Sequence, residues 1–294
     1  MDKVVVIGGA GFMGSHTADI LSDRGFKVTI FDHQPSSCLR ADQEMVVGDI
    51  LDRDTVNGVV SGAKYLYHFA GIADIGEAKE RPFDTVNLNV MGTTVALEAA
   101  VKSGVERFIY ASTMYVYSPY GSFYRASKQA AEIIIETYQE RFELDFTFLR
   151  YGSLYGPRSQ AWNGLRRYVR QVIREGKLDY RGTGKERREY IHVHDAARLS
   201  VDILDEIHKN KAITVTGHQV LNSEELIDLI FEITGVDKNV VFSQDNFSQD
   251  HYIMTPYRYT PKQAKKLVPD EFIDLGQGVL EIIEDVHHEL NNSN

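Results

Sequence analysis

Tyr124 and Lys128 stand four residues apart in Tyr124-Arg125-Ala126-Ser127-Lys128, just ahead of the apolar-periodic run Gln129-Ala130-Ala131-Glu132-Ile133-Ile134-Ile135. This reads as the opening of a helix, where residues i and i+4 share a face, so a phenol and an ammonium lie side by side. A free tyrosine titrates near about 10 and is a poor base at neutral pH, but a fixed cation beside it favours the phenolate. Such a phenol could take a proton from a substrate hydroxyl and later return one.

Elements upstream must bring a reactant to that pair. Residues 4–7 are a continuous β-branched run that stops at Gly8-Gly9-Ala10-Gly11-Phe12-Met13-Gly14, and helical character follows over 15–23. In a strand-turn-helix context, glycines let the backbone approach a pyrophosphate, and the helix N-terminus offers unpaired N–H groups. The next strand, over 27–31, delivers Asp32, whose carboxylate can bond the ribose hydroxyls of an adenosine and would repel a 2′-phosphate. His33 and Gln34 bring no arginine, so the pattern favours NAD over NADP.

Strand and helix then alternate: strands over 45–47, 65–69, 107–111 and 145–150, with helices over 54–60 and 90–101 and the Tyr124 helix between them. Repeated βαβ units predict an α/β fold, a Rossmann doubly wound parallel sheet with ligands at the carboxyl ends of its strands. Gly48-Asp49-Ile50, Phe69-Ala70-Gly71 and Ala111-Ser112-Thr113 all fall at such ends. Past Gly152 and Gly156-Pro157 the pattern becomes irregular, which suits a crossover into a smaller C-terminal substrate-binding region. The expected division is a dinucleotide-binding domain over 1–155, with a return segment at about 188–217, and a substrate-binding region over 156–187 and 218–294. Helices are expected over 162–175, 195–207, 223–233 and 280–290, with a strand over 213–216 and a short helix opening at Thr260-Pro261-Lys262.

A net charge of −10 argues against a nucleic-acid surface, which needs clustered cations. Lys185, Arg187 and Arg188 are too few for that but could hold the phosphates of a small ligand. No long apolar segment points to a membrane. The single cysteine, Cys38, and direct entry from Met1-Asp2-Lys3 into a strand fit a cytoplasmic protein.

The set Gly8-x-x-Gly11-x-x-Gly14, Asp32, Asp49-Ile50, Phe69-Ala70-Gly71, Asn89-Val90-Met91-Gly92-Thr93, Ser112-Thr113, Tyr124-x-x-x-Lys128 and Arg188-Glu189-Tyr190-Ile191-His192-Val193 resembles the extended short-chain dehydrogenase/reductase family, in its nucleotide-sugar epimerase and dehydratase branch. The resemblance implies that Gly8, Gly11 and Gly14, with Phe12 and Met13 in the same turn, hold the NAD pyrophosphate. Asp32 and His33 would lie at the adenosine ribose and Asp49 and Ile50 at the adenine. Ala70 and Gly71 would line the path to the nicotinamide, Lys128 would bond the nicotinamide ribose, Asn89 would support the site from its helix, and Phe69 and Tyr151 would join the cofactor contacts. Thr113, Tyr124 and Lys128 become the catalytic set, and Ser112, Thr113, Ser153 and Arg188 the contacts to a nucleotide-sugar. His192, His194 and Asp195 invite a metal reading, since residues two apart on a strand share a face, but the resemblance places them at a strand-to-helix joint, and the reaction it implies needs no metal. A homodimer or higher homo-oligomer is implied through the Tyr124 helix, where Ile133, Ile134 and Ile135 spread apolar surface over more than one side.

This chain departs from the family pattern in three places. Met114 and Tyr115 replace the Asp-Glu pair of the 4,6-dehydratases, so that reaction is not expected. The segment over 117–124 is short where relatives carry a substrate-covering loop, and Ser153 replaces an asparagine. The expected activity is epimerisation at C4 of a nucleotide-linked sugar through a 4-keto intermediate, of the kind that feeds surface polysaccharide synthesis. Two alternatives use the same fold: a C4 dehydrogenase or ketoreductase that releases its product, conceivably on a GDP-linked heptose, and a non-catalytic NAD(H) sensor or scaffold.

Overall fold

The four residues Val4, Val5, Val6 and Ile7 are wholly buried, as an interior strand of a parallel sheet covered on both faces must be. The computed structural model describes residues 1–217, 220–243, 251 and 253–256. All belong to one unit, Met1–Thr260; the helices expected at 260–262 and 280–290 lie outside the described residues. The chain opens β1 (Lys3–Ile7), α1 (Phe12–Asp23), β2 (Lys27–Asp32), β3 (Gln43–Val47), α2 (Arg53–Val60) and β4 (Tyr65–His68). Two short helices, α3 (Ile75–Glu80) and α4 (Pro82–Val86), lead through a π-helical turn at Asn87–Met91 into α5 (Gly92–Ser103). Then follow β5 (Arg107–Thr113), α6 (Ser122–Phe142), β6 (Phe146–Tyr151), β7 (Ser153–Tyr155) and α7 (Gly164–Glu175). The remainder is β8 (Leu178–Arg181), β9 (Arg187–His192), α8 (Val193–Asp202), β10 (Lys211–Val215), β11 (Val220–Asn222), α9 (Ser223–Thr234) and β12 (Val240–Ser243).

The main sheet has seven parallel strands in the order β10-β6-β5-β4-β1-β2-β3. The order reverses between β1 and β4, which opens a crevice beyond their carboxyl ends. One apolar layer, including Val5, Phe31, Val95, Phe108 and Ile135, fills the α2/α5/α6 face. The other, including Val4, Leu21, Ile109, Leu149 and Ala197, fills the α1/α8 face. Smaller sheets, β11-β9-β7 and β12-β8, pack with α7 and α9 around Val172, Tyr180, Ile227 and Phe231. Among the described residues no helix is long and apolar enough to cross a membrane.

Several helix boundaries differ from the sequence expectation, two of them for a visible reason. The helix expected over 195–207 begins at the joint after His192 and stops at Asp202. The guanidinium of Arg107, only 2% exposed, reaches across to donate to the carbonyls of Ile203 and Asp205 at 3.1 Å each and pairs with Glu206. Those carbonyls are thereby satisfied outside a helix. The helix expected from residue 90 starts instead at Gly92, because the π turn widens the backbone just before it. At α9 a capping box forms on Asn222, whose side chain accepts from Glu225 N while Glu225 returns a bond to Asn222 N.

Candidate active site

The glycine turn fits a pyrophosphate because nothing larger than hydrogen fits there. Gly8 has φ +79°, and a Cβ on it would lie 2.4 Å from Ala70 N; one on Gly14 would lie 2.2 Å from Gly8 O. The turn therefore packs against both the β4 end and itself, and Gly11 is the N-cap of α1, which has no side-chain cap and no acid in its first turn. Its free N–H groups and dipole suit an anion. Asp32 closes the other side. Its Oδ2 accepts from Ala10 N at 3.0 Å, while Oδ1 meets His33 Nδ1 at 2.8 Å and Gln34 N at 3.3 Å. The acid thus braces the turn as well as facing the crevice, a link that sequence spacing does not disclose. Ile50 packs against Gly92, where a Cβ would come within 3.1 Å of it, and Asp49 stays exposed, accepting from Leu51 N.

At the β4 end, Gly71 has φ +142°, and a Cβ there would lie 2.4 Å from Asn89 Oδ1. Asn89 is almost wholly buried. Its Oδ1 accepts from Ile72 N at 2.7 Å, and its Nδ2 donates to Ile72 O at 3.0 Å and to Ser127 Oγ at 2.9 Å. Ser127 in turn donates to Tyr124 O. The π turn aims Asn89 inward, a common use of such turns at functional sites. One amide therefore locks the 71–72 loop to the helix carrying Tyr124. Ser127 is a site residue the sequence reading passed over, although it lies inside the Tyr-Lys motif. Asn89→Ala strands the Ile72 groups and Ser127, and should cost about 2–3 kcal/mol in urea unfolding.

Lys128 sits beneath Tyr124 on α6 and is 5% exposed. Its Nζ donates to Ala111 O at 2.7 Å and lies 4.6 Å from the centre of the Tyr110 ring. Burial lowers its pKa from the ordinary 10.5 to about 8, against the opposing pull of Glu132. Behind it, buried His68 is held neutral, with its pKa lowered to about 3 by burial and then by Lys128. Its Nε2 is 2.9 Å from Thr93 Oγ1. Since the unfolded chain holds the Lys128 proton more tightly, the buried lysine opposes folding below about pH 8. That penalty is relieved as pH rises from about 8 towards 10.5. Lys128→Met should therefore raise apoprotein stability at pH 7, by on the order of 1 kcal/mol after loss of the Ala111 bond, and flatten this rise with pH. Thermal unfolding at pH 7 and 10 tests both.

Thr113 ends β5, buried, with Oγ1 accepting from Tyr115 N at 3.2 Å. Ser112 faces the other side of the strand, where its hydroxyl donates to Glu132 Oε1 at 2.5 Å. Glu132 also holds Arg150 through Nε to Oε1 at 3.0 Å and Nη2 to Oε2 at 2.6 Å. Arg150 completes the set with a bond to the Tyr117 hydroxyl and a stack on that ring. This network behind the site was not anticipated from sequence. Phe12 and Met13 turn their side chains into the core, and the Tyr151 phenol bonds Ser200 Oγ at 2.6 Å, buried. Burial raises that phenol's pKa. Ser153 opens β7 opposite Tyr190 on β9, and Arg188, on the same strand, is half-buried.

Comparison with known proteins shows the family. A UDP-N-acetyl-alpha-D-glucosaminuronate decarboxylase of Bacillus cytotoxicus is 27% identical over 81% of this chain and 82% of its own. A dTDP-glucose 4,6-dehydratase of Streptomyces niveus is 27% identical over 81% of this chain and 80% of its own. The crystal structure of UDP-glucose 4-epimerase from Thermotoga maritima with UDP-glucose matches with a TM-score of 0.79 at 26% identity, covering 88% of this chain and 90% of that one. These relatives carry out different reactions, so the likeness identifies a family of NAD-dependent nucleotide-sugar enzymes and no single reaction within it. The profile of the NAD dependent epimerase/dehydratase family matches residues 4–216, and this chain belongs to that family.

Proposed function

We infer that this chain binds NAD and epimerises a nucleotide-linked sugar at C4 through a 4-keto intermediate. The observation that carries the reading is the buried Lys128 ammonium, fixed on Ala111 O one helical turn from Tyr124, beside the strand end that holds Thr113. The ammonium stabilises the Tyr124 phenolate, which removes the proton of the C4 hydroxyl while Thr113 bonds the same oxygen. Bound nicotinamide supplies the hydride acceptor. Gly8, Gly11 and Gly14 hold the pyrophosphate, Asp32 the adenosine ribose, and Lys128 the nicotinamide ribose. Arg188 and Ser153 hold the sugar nucleotide from β9 and β7. In this reading 1–155 and the 188–217 return segment bind the cofactor and lend Thr113, Ser153 and Arg188 to the sugar, with 156–187 and 218–294 as the substrate-binding region. Met114 is buried and Tyr115 carries no carboxylate, which speaks against 4,6-dehydration by an Asp-Glu pair. Phe83, Met91 and Ile133 leave apolar side chains exposed on α4, the following turn and α6, Ile133 by 64%, which supports pairing with a second copy.

The test is to purify the protein, read the absorbance of bound NADH and add UDP-, GDP- and dTDP-sugars without free NAD. Inversion at C4 with no net change in cofactor absorbance supports the epimerase. Accumulating NADH with a released ketosugar makes the enzyme a dehydrogenase, and silence towards every sugar removes the catalytic reading.

A further inference from the structure

Tyr115, two residues past Thr113, has a partner far along the chain. Its hydroxyl lies 2.7 Å from Nδ1 of His251, more than a hundred residues later in the chain. Its backbone is tied to Thr113 Oγ1, and its ring meets the Tyr124 ring edge-on with centroids 6.2 Å apart. The short connection before α6 permits this. Gly121 runs so close beneath Tyr115 that a Cβ would lie 2.8 Å from Cδ1 of the ring. Two and three residues further on, Ile253 and Met254 lie beside β9, where Arg187 N donates to Ile253 O at 2.8 Å and Arg187 bridges Met254. His251 is exposed and Tyr115 partly so. A phenol, an imidazole open to water and the catalytic tyrosine thus adjoin one another.

We propose that Tyr115 and His251 form a second acid–base pair of this site, which moves a proton at a carbon adjacent to C4 of the ketosugar. The proposal rests on the C4 reading, since a ketone at C4 is what acidifies the hydrogens on C3 and C5. The C–H electron pair moves into the bond to C4 and gives an enolate, with its charge on O4 facing the Tyr124 hydroxyl. The carbon's proton passes to the Tyr115 oxygen as the phenolic proton passes to His251 Nδ1, leaving an imidazolium. Reversal restores the ketone with a proton that has exchanged with water through His251. No oxidant or reductant enters, and the phenol needs the imidazole because its own ordinary pKa is too high for a base at neutral pH.

The experiment supplies the ketone ready-made: UDP- and dTDP-linked 4-keto-6-deoxyglucose are incubated with the full-length protein in D2O. Deuterium at C3 and C5 is followed by mass spectrometry and NMR. Tyr115→Phe and His251→Gln are run in parallel, alongside C4 conversion of UDP- and dTDP-hexoses in the same preparations. The expected result is exchange well above the uncatalysed background that falls about 10²-fold or more in each variant. Exchange at the wild-type rate in both variants overturns the pair. So does absence of exchange from a wild-type preparation that does convert hexoses at C4. Absence of both exchange and C4 conversion overturns the C4 reading, and this proposal with it. Circular dichroism of the variants separates loss of exchange from loss of fold; His251, exposed, should be replaceable without unfolding.

Discussion

Tyr124→Phe is expected to lower turnover by about 10²- to 10⁴-fold, the usual contribution of a positioned acid–base group, while NAD stays bound. The ring remains to fill its place against Tyr115, and Lys128 keeps its bond to Ala111 O, so the cofactor side of the site is untouched. Only the proton acceptor is gone. Single-turnover measurement of C4 oxidation with saturating sugar reads the loss directly, and fluorescence or absorbance titration reads cofactor affinity. A variant that turns over at the wild-type rate would move the proton-transfer duty away from Tyr124. If, in addition, cells expressing it behaved normally, the chain would be an NAD(H) sensor on an enzyme's fold.

Arg150→Met should destabilise the protein by about 3–5 kcal/mol, because it leaves the Glu132 carboxylate buried without its counter-ion. Glu132 and Arg150 are both largely buried, with side chains 9% and 16% exposed. The pair joins α6 to β6, Ser112 extends it to β5, and Tyr117 extends it to the turn after β5. A buried pair is expensive to form, so its net contribution is small even though breaking it is costly. The double variant Glu132→Leu/Arg150→Met should therefore recover most of the loss in urea unfolding. Additive losses in the double variant would mean that each residue acts alone. Since Ser112 precedes Thr113 and Glu132 follows Lys128 by one turn, the single variant should also reduce turnover beyond its effect on stability.

The parts of the site that were legible in the sequence are those built from neighbours in the chain. The glycine turn, Asp32 and the Tyr124/Lys128 spacing each sit within one strand-turn-helix unit, where local sterics and helix periodicity dictate geometry. The joint after His192 came instead from the family resemblance, and the helix behind it was expected from 195, two residues beyond its start at Val193. What spacing could not give are contacts made across the fold: Asn89 with Ser127, Glu132 with Arg150, Tyr115 with His251. The strands of the small sheets were also missed. At three or four residues, β7, β8, β11 and β12 are too short to show alternation. The end of α8 depended on a guanidinium from β5 taking up its carbonyls.

The edge strand β10 bears on how the chain is made. It lies beside β6 in parallel register, Ile213 against Leu149 and Val215 against Tyr151, yet the three small-sheet strands β7, β8 and β9, with α7 and α8, intervene in the chain. During synthesis, β6 emerges with one side of its ladder unpaired and waits for the ribosome to deliver β10, roughly 3–13 s later at ordinary elongation rates. Throughout that interval its free N–H and C=O groups, flanked by Phe146, Phe148 and Leu149, form an open template for another nascent chain. Aggregation in a cell should thus be governed by translation speed between Gly152 and Asn210. Slow codons placed there would lengthen the exposure, whereas the same codons placed after Val215 would not.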